Sequence, residues 1–445
     1  MSKEPTPPHN SEAEQGVLAV LLMDNAAYER VGDLLAERHF YHRDHGAIYG
    51  TIARLINANK PADVLTVFDA GGHDLPYLTT LVQSYASSAN ARRYAEIIVE
   101  RSRERDLLQI AGALRAEAVS GECGSVSERV DKVVTALLKL ADQTQAQEPR
   151  GMDEVLAPWL DHLNDVASGN ARPGMQTGLI DLDRLTSGGI WRGELWVIGA
   201  RPSMGKSAMS LTIARNMARE YSVLFLTQED SQRTLVSRMV ASAGRVNLAD
   251  LRNPYGKPNE MWAGVTEGVD ALRQLNLRID DQASLRLLDV RRKIQQVKRK
   301  HGLDVVMIDY LQLMVGDAET RNRELGDIAN GLKAAAKDFN VGIVLLSQLS
   351  RKADERSGPP QMSDLRESGD IEGAADLIGM LYREHMRRPT EENKHYAELH
   401  VCKQKNGPTD TLSLHFDGAY QRFAAWDGPK PWRPAATARS GKGLE

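Results

Sequence analysis

The 445-residue sequence contains few cysteines and no long apolar run. Its two cysteines, Cys123 and Cys402, have no close partner in the sequence, which argues against a disulfide framework and a cysteine-based zinc site. No run approaches the roughly 20 apolar residues that span a bilayer. The polar, proline-containing N-terminus also lacks the apolar core of a signal peptide. These absences predict a cytoplasmic protein with no membrane partner.

The sequence also lacks the excess of basic residues that is typical of nucleic-acid-binding domains. It has 56 Lys and Arg against 60 Asp and Glu, a formal net charge of −4. Net charge informs solubility and non-specific association, and it does not describe a local site. If this protein binds DNA, a few basic loops must do so, in a channel assembled from several chains.

The length of the chain predicts two domains. Residues 1–142 are predicted to form an all-α domain, because apolar residues recur there at helical spacing and its last helix is expected over 120–141. The polar segment 143–172 is predicted to be a linker that contains an amphipathic helix over 152–169. The apolar face of this linker helix needs a partner, for which a neighbouring subunit is a candidate. That face consists of Val155, Leu156, Trp159, Leu163 and Val166.

The pattern changes at residue 173, and an α/β domain is predicted over 173–428. Short apolar runs alternate there with helical stretches, which indicates a mainly parallel sheet. The last runs lie close together and predict antiparallel additions at one edge. The runs are 195–200, 223–228, 305–311, 341–348, 376–383, 397–403 and 411–416. The Pro- and Gly-rich tail, 429–445, is predicted to be disordered.

The most specific motif is ARPSMGKS at 200–207, with Ala200 in place of the usual first glycine of a phosphate-binding loop (P-loop). It follows an apolar strand and opens a helix, which is the context that a P-loop requires. Gly205 would let the backbone approach the phosphates, Lys206 would reach the β- and γ-phosphates, and Ser207 would ligate Mg²⁺. The alternative is a chance match. The predicted ligand is ATP or another NTP, bound by Ala200, Arg201, Pro202, Ser203, Met204, Gly205, Lys206 and Ser207.

Two carboxylates extend this site. Asp309 ends an apolar strand, which would place its charge at the carboxyl edge of the sheet, where it can hold the magnesium shell. Glu229 is predicted to end the strand that follows the P-loop helix, where a base can orient and deprotonate the attacking water. Asp230 is the competing candidate for that base.

Three histidines, His39, His42 and His45, have a spacing that can bring ligands together on a helix. No fourth ligand is apparent, and we favour a structural role over a metal site. The aromatic residues Phe40, Tyr41 and Tyr49 are predicted to be exposed on a collar that contacts other proteins.

With these motifs, the chain resembles the DnaB family of bacterial replicative DNA helicases over nearly its whole length. The segments that carry the resemblance are PHNSEAEQGVLAVLLMDN, ERHFYHRDHGAIY, TGLIDLDRLTSGGIWRGELWVIGARPSMGKSA, VMIDYLQLM, VGIVLLSQLSR, SDLRESGDIEGAADLIGMLYRE and KQKNGPTDT. The resemblance implies a RecA-like P-loop NTPase motor domain, joined by the linker helix to an all-α N-terminal domain. It implies a homohexameric ring that hydrolyses ATP between subunits and moves 5′→3′ on single-stranded DNA, unwinding forked DNA. A primase and a helicase loader are implied partners.

The resemblance also assigns residues. It implies that Gln348 senses the γ-phosphate and agrees with Glu229 as catalytic base. It implies a DNA-binding loop and a second, less constrained loop in the pore of the ring. The first loop contains Arg366, Glu367 and Gly369, and the second contains Arg321 and Arg323. Phosphate contacts without base contacts suit a motor that moves over any sequence. From the residues alone, Ser363 could cap a helix there, or the segment could be a surface turn.

One departure from the family pattern concerns the arginine finger, which reaches the ATP site of the neighbouring subunit. Where the family usually reads KQRNGP, this chain has Lys405 in place of the arginine, with Lys403 two residues earlier. Lysine keeps the charge and loses the planar, bidentate fork. We predict that Lys405, assisted by Lys403, stabilises transition-state charge in trans. The alternative is that another residue acts as the finger.

Two other functions fit parts of the sequence. One is a RecA-type DNA-dependent ATPase that does not unwind DNA. The N-terminal domain and the linker helix argue against this function. The other is a ring scaffold that recruits primase or a loader and has lost efficient hydrolysis, against which Lys206, Glu229, Asp309 and Gln348 count.

Overall fold

A computed structural model describes residues 6–83, 90–120, 151–316, 318, 320–350, 353, 358–365 and 368–431, with isolated helical residues at 129, 133, 136, 137 and 140. The chain divides into two compact units, 1–150 and 151–445. Most of the predicted helix over 120–141, Arg366, Glu367 and nearly all of the predicted tail lie outside the described residues. No helix among those described is long and apolar enough to cross a membrane.

The described part of the N-terminal unit is helical, as predicted. Its helices are α1 (Ser11–Met23), α2 (Arg43–Asn57), α3 (Val64–Gly71), α4 (Leu75–Gln83) and α5 (Ala91–Ser120). Two 3₁₀ turns separate α1 from α2, at Asn25–Arg30 and Glu37–His39. Asn10 fixes the start of α1, because its side chain accepts a hydrogen bond from the Ala13 N–H at 2.9 Å. The helices enclose one apolar core, to which the predicted collar aromatics Phe40 and Tyr49 belong. Our prediction that these two are exposed was wrong.

A buried polar cluster joins three of these helices. Glu14 of α1 accepts hydrogen bonds from the backbone N–H of Tyr41 at 2.6 Å and lies 2.7 Å from His45 Nδ1. His45 Nε2 lies 2.5 Å from the Tyr77 hydroxyl of α4. One ring nitrogen each of His42 and His45 and a carboxylate oxygen of Glu14 lie within 4.8 Å of one another, whereas His39 is not part of this group. The cluster pins the helices together through hydrogen bonds, which favours the structural role for His45.

The C-terminal unit contains a mixed sheet in which the described strands have the order β3-β2-β4-β5-β1-β6-β7-β8-β9. Neighbours from β3 to β6 are parallel, and β7, β8 and β9 are added antiparallel at one edge. The strands are β1 (Leu195–Ala200), β2 (Val223–Thr227), β3 (Leu277–Asp280), β4 (Val305–Asp309), β5 (Gly342–Gln348), β6 (Leu377–Tyr382), β7 (Tyr396–Gln404), β8 (Thr411–Asp417) and β9 (Arg422–Ala425). The predicted α/β class and the antiparallel edge are confirmed, while β3 and β9 were missed.

Helices cover both faces of this sheet, and two apolar cores result. P-loop helix side chains such as Met209 and Ile213 pack on one face, and Ile294 and Leu332 pack on the other. The described helices are α6 (Met152–Ala167), α7 (Ile180–Leu185), α8 (Lys206–Met217), α9 (Gln232–Ala243), α10 (Leu248–Arg252), α11 (Asn259–Arg273), α12 (Leu287–His301), α13 (Arg321–Asp338) and α14 (Ser368–Ala374). Strands buried on both faces explain the continuous apolar runs of the sequence.

The predicted linker helix forms as α6, and its apolar face is open to solvent. Trp159 is 56% exposed, and Val155, Leu156, Leu160 and Leu163 are exposed as well. An amphipathic helix is normally stabilised by burying such a face. The face is therefore available to a partner.

Candidate nucleotide-binding site

The P-loop connects the end of β1 to the start of α8. Its backbone is left-handed at two positions, Ser203 with φ 67° and Gly205 with φ 97°. The positive φ favours glycine at position 205, and a Cβ there would also make a tight contact, 3.1 Å from Phe423 Cζ. The N-cap residue of α8 is Gly205, which has no side chain to cap the helix. The N–H groups of its first turn are therefore available to an anion, as a phosphate site needs.

Lys206 and Asp309 meet at the carboxyl edge of the sheet. Lys206 Nζ lies 2.9 Å from Asp309 Oδ1 and 3.6 Å from the ring centroid of Tyr310. Asp309 is 0% exposed; its Oδ1 is engaged by Lys206, and its Oδ2 accepts no hydrogen bond from the described residues. A buried oxygen without a hydrogen bond suits the hydration shell of a cation. The Ser207 hydroxyl and the Asp309 carboxylate are oxygen donors of the kind that Mg²⁺ prefers, so the residues fit this metal.

Glu229 lies in the same cleft but does not end a strand, because β2 stops at Thr227 and Glu229 follows in the next turn. Desolvation in the cleft, with the charges of Asp309 and Asp230, raises the pKa of Glu229 above its ordinary value, and Lys206 opposes this. Asp230 is held by Arg238 at 2.7 Å. The ion pair occupies Asp230 and leaves Glu229 as the better candidate for the base.

Gln348 is the last residue of β5, beside Ala200 at the end of β1. Its side chain lines the cleft, and its backbone is clamped by Gln312, a residue that sequence reasoning missed. The Gln348 N–H donates to Gln312 Oε1 at 2.9 Å, and Gln312 Nε2 donates to Ser347 Oγ at 2.9 Å. These hydrogen bonds with Gln312 fix the position of Gln348 at the end of β5.

The cleft has a volume of about 640 Å³ and contains further side chains that the sequence did not reveal. Arg383, just after β6, lies with its guanidinium 4.1 Å from the ring centroid of Phe416. Burial lowers the pKa of Arg383. The missed lining residues are Ala208, Arg238, Tyr310, Arg383, Phe416, Gly418 and Gln421. Arg383 directly follows β6, just as Asp309 ends β4 and Gln348 ends β5. A polar residue at the end of an apolar run is a sequence signal that could have identified it.

Lys403 and Lys405 do not line the cleft of their own chain. Lys405 Nζ lies 3.1 Å from Asp376 Oδ1, and Lys333 Nζ lies 2.6 Å from the other oxygen of that carboxylate. Lys403 Nζ contacts the backbone oxygen of Glu372. Neither lysine contacts the cleft of its own chain, and their action in trans stays a prediction.

The predicted DNA-binding residues have different surroundings. Arg321 is engaged within the chain, because it pairs with Glu324 and donates to the backbone oxygen of Met314 at 2.9 Å. Arg323 is exposed, and Gly369 lies exposed in α14. These roles stay predictions.

Of the two alternatives left open for the segment at Ser363, the structure shows the turn and not the N-cap. Ser363 lies inside the 3₁₀ turn Met362–Asp364, which the buried Asp364 closes by accepting from the Gln361 N–H at 2.8 Å.

A parallel sheet with helices on both faces, carrying a P-loop after its first strand and an acidic strand end beside it, defines a P-loop nucleoside triphosphatase with a RecA-like core. The family model described as DnaB-like helicase C terminal domain matches residues 174–425, and the model described as DnaB-like helicase N terminal domain matches residues 6–100. The chain belongs to the DnaB-like helicase family.

Curated relatives and solved structures agree with this family assignment. The chain is 32% identical over 437 residues to the replicative DNA helicase DnaB of Geobacillus stearothermophilus, covering 94% of this chain and 95% of that one. It is 32% identical to the replicative DNA helicase DnaC of Bacillus subtilis, with 94% of each chain covered. A solved DnaB-like replicative helicase, described with its interactions with primase, matches with a TM-score of 0.74 at 28% identity, covering 94% of this chain and 100% of that one.

Proposed function

We propose that this protein is an ATP-dependent replicative DNA helicase that works as a homohexameric ring, moves 5′→3′ on single-stranded DNA and unwinds forked DNA. The observation that carries the proposal is the convergence of Lys206, Glu229 and Gln348 on one cleft, beside the buried Asp309. Membership of the DnaB-like helicase family supports the coupling of this cleft to DNA.

Each cleft residue has a part in hydrolysis. Lys206 and the N–H groups of the P-loop hold the phosphate chain and offset its charge. Ser207 and Asp309 would hold Mg²⁺, which neutralises charge on the phosphate oxygens when it is bound. Glu229 accepts a proton from the attacking water, a role that its raised pKa suits. Gln348, at the end of β5 beside Ala200, is proposed to sense the γ-phosphate.

Arg383 and Phe416 give the cleft a wall that suits the rest of the nucleotide. The guanidinium lies over the ring, and Arg383 Nη1 also donates to the Ser203 backbone oxygen of the P-loop at 3.5 Å. A planar cation beside an aromatic ring offers stacking surface to a base. We therefore extend the predicted ATP-binding set to these two residues.

The ring itself is proposed from two features. The exposed apolar face of α6 needs an occupant, and Lys405 and Lys403 need a nucleotide from another subunit. A neighbouring copy of the chain could cover the apolar face of α6 and offer its nucleotide to the two lysines. Arg366, Glu367, Gly369, Arg321 and Arg323 are proposed to face the DNA strand. Primase and a loader are proposed to bind the assembled ring.

The test is Lys206→Ala, assayed for unwinding of a forked duplex. Loss of the lysine removes the main cation of the phosphate site, so we expect both ATPase activity and unwinding to fall by roughly 100-fold or more. Strand separation at the unaltered rate would refute the proposal.

The two alternatives give different results with the unaltered protein. A RecA-type ATPase would hydrolyse ATP with single-stranded DNA but leave the forked duplex intact. A ring scaffold would show no DNA-stimulated hydrolysis at all.

A further inference from the structure

A second cavity, of about 540 Å³, lies outside the nucleotide cleft and is lined by four arginines. Arg215 belongs to α8, Arg219 follows that helix, Arg245 follows α9, and Arg422 begins β9. The remaining lining residues are Ser242, Ala243, Ala271, Leu272, Gln274 and Leu275. The lining thus gathers four positive charges and contains no carboxylate.

The most buried of these charges is incompletely paired. Arg215 is 9% exposed, and its Nη1 donates to Ser242 Oγ at 2.6 Å, while its Nε has no partner among the described residues. The Nε of Arg422 is likewise buried and without a partner in that part of the chain. A buried charge without a counter-charge is costly unless an anion offsets it.

The lowered pKa of Arg215 agrees with its burial among other arginines. Burial, followed by the charges of Arg422 and Arg219, lowers the pKa of Arg215 to about 10, so the side chain remains charged at neutral pH. The acid next to this group in the sequence, Glu220, pairs with Arg172 instead. The chain therefore leaves the positive potential of the cavity available to a ligand.

We propose that this cavity is a second anion site, which binds the phosphate chain of a nucleotide or of free polyphosphate. Guanidinium groups match pairs of phosphate oxygens. The volume lies within the roughly 300–1,000 Å³ of small-molecule sites. Leu272 and Leu275 add an apolar wall that a base could contact.

The two sites share structural elements. The helix α8 starts with Lys206 in the nucleotide cleft and carries Arg215 in its last turn, while Gln421 lines the cleft and the next residue, Arg422, lines the cavity. A binding experiment must therefore separate them, which a variant of the P-loop lysine allows.

The experiment titrates the full chain calorimetrically with inorganic tripolyphosphate and, separately, with ATP, in a Lys206→Ala background. We expect one remaining site per chain for tripolyphosphate. Adding Arg219→Gln and Arg245→Gln, which change exposed residues and leave the buried Arg215 in place, should weaken that site roughly tenfold or more. The matched control is Arg252→Gln, an exposed arginine at the end of α10, which should change nothing.

The outcomes are decisive in each direction. Tighter binding of ATP than of tripolyphosphate identifies a nucleotide as the ligand, and equal binding identifies the phosphate chain alone; both support the site. Absence of binding in the Lys206→Ala protein, or equal affinity with and without the two arginine changes, overturns it. Reduced affinity for single-stranded DNA with unchanged tripolyphosphate binding would overturn it too and assign the arginines to DNA. None of these results depends on whether Lys206→Ala abolishes unwinding.

Discussion

Residues that end or directly follow strands supply much of the chemistry of the nucleotide cleft. Ala200 pairs in register with Gln348, and Thr227 pairs with Asp309, so the ends of four parallel strands bring their side chains to one edge of the sheet. Asp309 is buried there because the strand itself is buried. Its charge is held by Lys206, which would need to exchange this contact for phosphate when nucleotide binds.

The base assignment can be tested at Glu229. Glu229→Gln removes proton acceptance but keeps the size of the side chain, and we expect DNA-stimulated ATPase turnover to fall roughly 100-fold or more. Because the pKa of Glu229 is raised, the carboxyl of the wild-type protein should become protonated at a higher pH than an ordinary glutamate. Wild-type turnover should therefore decline on acidification from a pH above the ordinary glutamate range, as a pH–rate profile will record.

The control for this substitution is Asp230→Asn. Asp230 pairs with Arg238 and is expected to matter less for the chemical step. If turnover of Asp230→Asn falls as far as that of Glu229→Gln, the two carboxylates have been assigned the wrong way round.

The lysine in place of the arginine finger gives a second prediction for single residues. Lys405→Ala should lower DNA-stimulated ATPase turnover by about tenfold or more, and Lys405→Arg should retain or raise it, since the guanidinium can bind phosphate bidentately. Steady-state ATPase assays with single-stranded DNA measure both. Lys394→Ala, an exposed lysine that pairs with Glu391, serves as control. Unchanged turnover in Lys405→Ala would mean that another residue is the finger.

At the scale of elements, the N-terminal unit depends on a polar contact between helices as well as on its apolar core. Glu14, His45 and Tyr77 connect α1, α2 and α4, and the side chains of Glu14 and His45 are almost fully buried. Burial raises the pKa of Glu14, but hydrogen bonds from His45, Tyr41 and His42 outweigh it, so the pKa lies below its ordinary value. The ionised form is therefore the one that the fold stabilises.

This contact predicts both a mutational and a pH effect. Glu14→Ala leaves His45 and two backbone N–H groups without their acceptor and should destabilise the N-terminal unit by about 3 kcal/mol. In the wild type, a pKa that is lowered on folding gives stability that is present above the ordinary value of 4.5 and is lost as the pH falls through the folded value. Chemical denaturation at several pH values measures both. The neighbouring exposed Glu12→Ala is the control, and an equal loss there would refute the role of Glu14.

At the scale of the whole molecule, the exposed face of α6 is the feature that a single chain leaves incomplete. Trp159 and four aliphatic side chains on this helix face solvent. Large aromatic residues commonly provide the main anchors of protein interfaces. The function proposed above requires several chains, and this helix offers a means to hold them together.

The corresponding prediction is that Trp159→Asp dissociates the assembly. Placing a charge where Trp159 is buried against a partner should cost about 2 kcal/mol or more per interface. Light scattering after size-exclusion chromatography should then show smaller species and, in parallel, reduced ATPase activity, because Lys405 would lose its partner site. Asp161→Ala, also exposed on α6, should leave the mass unchanged. A full-sized ring with Trp159→Asp would exclude this helix as the subunit contact.

The sequence by itself determined the α/β class, the antiparallel edge and the core of the nucleotide site. These follow from local rules: strands buried on both faces are continuous apolar runs, and a P-loop has a fixed context of strand, loop and helix. Lys206 and Asp309 could be identified because each one lies directly at the end of such an element, whereas Gln348 was assigned from the resemblance to the DnaB family.

Tertiary structure alone decided which other side chains approach these residues. The strands β3 and β9 were missed because LRID and RFAA are short and only partly buried. Each becomes a strand by pairing with a neighbour, β3 with the distant β2 and β9 with the preceding β8. Arg383 and Phe416 line the cleft because the fold brings the end of β6 and the strand β8 beside the P-loop, and Gln312 contacts the backbone of Gln348. The four arginines of the second cavity come from three parts of the sequence, between residues 215 and 422, and only the folded chain brings their charges together.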